Sequence, residues 1–95
     1  MKAELLFRQK NELDDGAIVE MVIWRAPQSV LPSRHIFKYR LYYGKGGRRI
    51  VGYDNERGKG DHRHVRGRES PYRFVSPEKL MADFLADVEE ARRKR

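Results

Sequence analysis

The stretch Arg34-His35-Ile36-Phe37-Lys38-Tyr39-Arg40-Leu41-Tyr42-Tyr43, closed by Gly44-Lys45-Gly46-Gly47, decides the fold. Successive residues of an extended chain point to opposite sides, and this run sorts itself accordingly. His35, Phe37, Tyr39, Leu41 and Tyr43 share one face; Arg34, Ile36, Lys38, Arg40 and Tyr42 share the other. One apolar and one cationic face is the pattern of an antiparallel strand covered on a single side. The glycine-rich turn predicts a hairpin into residues 48–54, where Arg48 and Arg49 precede Ile50, Val51, Gly52 and Tyr53.

Upstream, residues 3–7 alternate and residues 17–24 are rich in Val, Ile, Met and Trp, with Asp14-Asp15-Gly16 as a turn between them. The second run is apolar on both faces, so it fits either under a helix or between subunits. Pro27 and Pro32 mark an irregular connection ahead of the deciding stretch. Downstream, residues 55–71 show no hydrophobic period and contain Gly58, Gly60 and Gly67, which reads as a long loop followed by a short strand at 72–75. The clearest helix comes last: Ser76 as N-cap, Pro77 in the first turn, and Leu80, Met81, Phe84, Leu85 and Val88 along one face. The cations after Ala91 (Arg92, Arg93, Lys94 and Arg95) suit the negative end of the helix dipole as well as they suit a nucleic acid or an antitoxin. The expected architecture is α+β: one domain over residues 1–95, an antiparallel four- to five-stranded meander sheet with the C-terminal helix packed on one face.

Charge narrows the partner. The chain carries 21 Lys and Arg against 14 Asp and Glu, net +7, which favours an anionic partner rich in phosphate, RNA above all. The excess is local: residues 1–26 hold five acids and four bases, whereas no acid occurs from Arg34 through Tyr53. With no cysteine, disulfides, thiolate catalysis and cysteine zinc sites are excluded. Neither a signal-peptide core nor a membrane span is recognisable, so the expected address is cytoplasmic.

Reactive side chains concentrate in Tyr53-Asp54-Asn55-Glu56-Arg57-Gly58-Lys59-Gly60-Asp61-His62-Arg63-His64. Two chemistries fit this block. A metal reading uses Asp54, Glu56, Asp61, His62 and His64, because an H-x-H pair on extended chain turns both rings to one side; the surrounding cations oppose it. A metal-free reading is RNA cleavage by attack of a 2′-hydroxyl on its own phosphate, needing a base, a leaving-group acid and cations for the developing charge. There the acid–base work falls to His62 and His64, with Tyr53 or Tyr72 assisting and Lys59, Arg63 and Arg66 holding the transition state. No metal or other cofactor is required. Lys38, Arg40, Arg48, Arg49, Arg57, Arg66 and Arg68 form the expected nucleic-acid-binding set. The Gly58-Lys59-Gly60 piece lacks the spacing of a nucleotide-binding P-loop. His35 reads as a core-edge residue, Trp24 as packing or as a base-stacking ring, and Asp54, Asn55 and Glu69 as a turn cap or an ion-pair partner.

The same block, followed by Glu69, Pro71-Tyr72 and Phe74 before the helix, resembles the TumE family of bacterial and archaeal toxin proteins. That resemblance implies the toxin of a type II toxin–antitoxin system, neutralised by a helix-turn-helix antitoxin. It assigns no catalytic residue. A small endoribonuclease is the leading expectation; the alternatives are a non-enzymatic module blocking a nucleic acid or a ribosomal surface, and an interaction protein that forms a homodimer or docks the antitoxin through its helix.

Overall fold

The computed structural model describes residues 2–29, 31–56 and 58–94. Arg57 and Arg95, singled out for charge, lie outside the described residues. Six strands, β1 (Glu4–Glu12), β2 (Ile18–Arg25), β3 (Phe37–Lys45), β4 (Arg48–Glu56), β5 (Gly60–Val65) and β6 (Arg68–Pro71), form one antiparallel sheet in the order of the chain, and helix α1 (Pro77–Arg93) follows. The α+β meander with its C-terminal helix is as the sequence predicts; the number of strands is not. Residues 60–71, expected as loop, make the β5–β6 hairpin, and residues 72–75 form no strand.

The missed hairpin has a physical explanation. Its turn consists of Arg66 and Gly67, both at positive φ (50° and 82°), the two-residue geometry that matches strand twist. Gly46 and Gly47 close β3–β4 in the same way at 61° and 77°. On β5 the period of two is present, but the side facing the helix carries Asp61, Arg63 and Val65, so charge stands where hydrocarbon was sought.

The core lies between α1 and one sheet face. Val19, Met21 and Ile23 of β2, Tyr39, Leu41 and Tyr43 of β3, and Val51 and Tyr53 of β4 bury against Leu80, Phe84, Val88 and Ala91. The β2 run is therefore one-sided: its alternate residues are only half-buried. Ser76 caps the helix, its hydroxyl accepting from Lys79 N at 3.1 Å. The apolar stripe is narrower than expected, since Leu85 remains 45% exposed. Arg92 reaches the Tyr43 hydroxyl at 3.0 Å and Asp15 at 3.3 Å, tying the last turn to the β1–β2 hairpin.

Candidate functional site

Strand register decides which reactive residues meet. Tyr53 faces Arg63 and Asn55 faces Asp61 across β4–β5, all on the helix side, whereas Asp54 faces His62 and Gly52 faces His64 on the uncovered side. Arg40 faces Asp54 and Tyr42 faces Gly52, so these two side chains also join the histidines on the uncovered face. Glu69 of β6 pairs with His64 and enters the same cluster.

There, two imidazoles flank one carboxylate. Arg49, whose chain crosses Gly52, donates to His64 Nδ1 at 3.0 Å, so His64 Nε2 carries the hydrogen and donates to Glu69 Oε2 at 2.9 Å. His62 Nε2 donates to the Lys59 carbonyl at 2.6 Å. His62 Nδ1 is buried and without a hydrogen-bond partner, 4.0 Å from Glu69 Oε1. An unsatisfied buried polar group costs about 1–3 kcal/mol.

The helix side is different in kind. Arg63 donates twice to Asp87, at 2.8 and 2.9 Å, and once to the Tyr53 hydroxyl at 3.1 Å, while that hydroxyl donates to Asp87 at 2.5 Å. The hydrogen bond to Asp87 raises the Arg63 pKa; burial first and Asp87 second raise that of Tyr53. Tyr72 donates to Asp83 at 2.6 Å, and burial followed by this bond raises it too, while the bond lowers Asp83. Asp61 accepts from Ser33, from His35 Nε2 at 2.7 Å and from the Tyr39 hydroxyl at 2.7 Å, and Asn55 locks onto Tyr39 N and Phe37 O. His35, stacked on Phe74 at 3.9 Å, is the core-edge residue expected of it. These groups staple the 26–36 connection and the helix to the sheet.

Of the expected catalytic set, then, His62 and His64 come together, joined by Glu69 and Arg49, whereas Tyr53, Arg63 and Tyr72 stand on the opposite face. Lys59 meets His62 through its carbonyl rather than its ammonium. The five metal-ligand candidates are split as well, because Asp61 faces the helix side; among the described residues no three His, Asp or Glu gather to hold a metal. Of the expected binding set, Lys38, Arg40 and Arg49 share the uncovered face. Arg48, Arg49 and Arg66 line a cavity of about 460 Å³ at the end of the β4 and β5 hairpins, and Arg63, Arg66 and Arg68 line one of about 550 Å³ beside β6. Glu69, read from the sequence as an ion-pair partner, has His64 and His62 beside it, a placement the sequence analysis did not reach. The signal that would have found it is Arg66-Gly67, which as a hairpin turn sets Glu69 opposite His64.

The family model described as Toxin TumE matches residues 2–92. No curated protein and no solved structure matches the chain.

Proposed function

This chain belongs to the TumE toxin family, and on that premise we propose that it is a metal-independent endoribonuclease whose reacting groups are His62, Glu69 and His64 on the uncovered sheet face. The observation that carries the reading is the bare His62 Nδ1 opposite Glu69 Oε1, with Arg49 beside them. Glu69, partly exposed, takes the proton of the attacking 2′-hydroxyl and shares it with His62 Nδ1; the same unit returns a proton to the departing 5′-oxygen. The bond formed is 2′-oxygen to phosphorus and the bond broken is phosphorus to 5′-oxygen, leaving a 2′,3′-cyclic phosphate and a 5′-hydroxyl. Arg49 and Arg40 face the charge that develops on the phosphorane. His64, held at both nitrogens, positions Glu69. Arg63 and Tyr53 serve the fold, and Arg48, Arg66 and Arg68 extend the binding surface at the sheet end.

Membership in a toxin family implies an antitoxin partner; we assign it to a helix-turn-helix protein of a type II system and the activity to the cytoplasm. Among the described residues no helix is long and apolar enough to cross a membrane.

The test is purified protein with bulk cellular RNA in EDTA. General acid–base groups contribute roughly 10²–10⁴-fold, so His62→Ala/His64→Ala and Glu69→Gln are each expected to lose at least about 100-fold of the cleavage. Full cleavage by either variant removes the assignment. A second reading, a non-enzymatic RNA-binding toxin, is favoured by the engagement of both His64 nitrogens. It predicts no cleavage by any variant, and growth inhibition that falls further with Arg48→Glu/Arg49→Glu than with loss of the histidines.

A further inference from the structure

We propose that the uncovered face also carries a base-stacking subsite for single-stranded RNA, built on Trp24; the substrate class rests on the ribonuclease reading above. Trp24 lies on β2 opposite Lys38. Its neighbour Ile23 is buried in the core, so the indole belongs to the other face, where it is half-buried. A shallow cavity of about 240 Å³ is lined by Val22, Trp24, Lys38, Tyr39 and Arg40. An aromatic ring flanked by cations, on a sheet face that no helix covers, is how proteins take up single strands: the ring meets a base and the cations meet phosphates.

Register ties the subsite to the reacting groups. His62 faces Asp54, Asp54 faces Arg40 and Arg40 faces Val22, two residues from Trp24. Three interstrand spacings put Val22 roughly 14 Å from His62 and Trp24 two residues further along β2, so one extended RNA strand crossing the sheet can rest a base on Trp24 while its backbone passes Arg40 toward Glu69. The Arg40 guanidinium touches Glu20 at 3.7 Å yet its side chain is 67% exposed, which leaves it open to phosphate. A duplex hides the base faces that the indole needs.

Trp24 is the sole tryptophan of the chain, so its fluorescence reports the subsite directly. The probe is a mixed-sequence 2′-O-methyl RNA oligonucleotide, which cannot be cleaved by 2′-attack, offered alone and annealed to its complement. The single strand is expected to quench Trp24 in the parent and equally in His62→Ala/Glu69→Gln. Followed by anisotropy of a labelled oligonucleotide, Trp24→Leu should bind roughly tenfold more weakly, whereas Trp24→Phe, which keeps a ring, and the parent should bind alike, all three with the same circular dichroism. Absence of quenching, equal quenching by the duplex, or parental affinity in Trp24→Leu overturns the proposal. The two readings separate cleanly: RNA cleavage without quenching removes the subsite alone, and quenching by a protein that never cleaves RNA removes the ribonuclease reading alone.

Discussion

His62, Arg63 and His64 are consecutive, yet they serve two faces of one sheet. Alternation was in the sequence, and it correctly pairs the two imidazoles on one side; what it could not give is what stands opposite them. Glu69 came from a turn five residues away, and Arg49 from a neighbouring strand whose register had to be known. The same limit applied to Asp61, which looked like a metal ligand and instead gathers Ser33, His35 and Tyr39. Its removal leaves three donors in a largely buried place. Asp61→Ala is therefore expected to lower unfolding stability by about 3 kcal/mol, read from denaturant melts; a loss within about 0.5 kcal/mol, typical of surface substitutions, would mean that the cluster does not staple the connection. Residue types were legible in the sequence, then, and their partners largely were not.

Strands whose buried side is hydrocarbon announced themselves. β2, β3, β4 and α1 were all legible for that reason, the helix down to its Ser76 cap. β5 and β6 were not, because on β5 Arg63 and Asp61 turn charge to the helix side, toward Asp87 and toward Ser33 and His35, every residue of β6 is exposed, and a hydrophobic period cannot register either. Gly52 offers a test at this level. Arg49 crosses β4 over it so closely that a Cβ there would come within 2.7 Å of Arg49 Cδ. Gly52→Ala should displace Arg49 from His64 while the strand stays paired, reducing RNA cleavage about tenfold with little change in melting temperature. An unaltered rate would show that Arg49 need not lie there.

Across the whole molecule, three tyrosines hold the helix side together and are kept protonated. Burial, seconded by Asp61, Asp87 and Asp83 respectively, raises the pKa values of Tyr39, Tyr53 and Tyr72. A group whose folded pKa lies above its unfolded value of about 10 gives its full stabilisation below that value. It loses it as pH rises toward the folded pKa. Stability should thus hold to about pH 10 and fall beyond it, with these phenols ionising as the chain unfolds. With phenolate absorbance and far-ultraviolet dichroism recorded together against pH, part of the absorbance should rise in the same step in which dichroism is lost; phenolate appearing for all five tyrosines before any loss of structure would contradict this.

Because each strand pairs only with its neighbours in sequence, the sheet can be laid down in the order in which a ribosome makes it. The charge-balanced strands β1 and β2 emerge first, the cationic β3 and β4 next, His62, His64 and Glu69 after them, and the helix that closes the core last. On the proposed reading, a chain halted before residue 62 holds the first four strands and none of His62, His64 and Glu69, and the core stays open until α1 has been made.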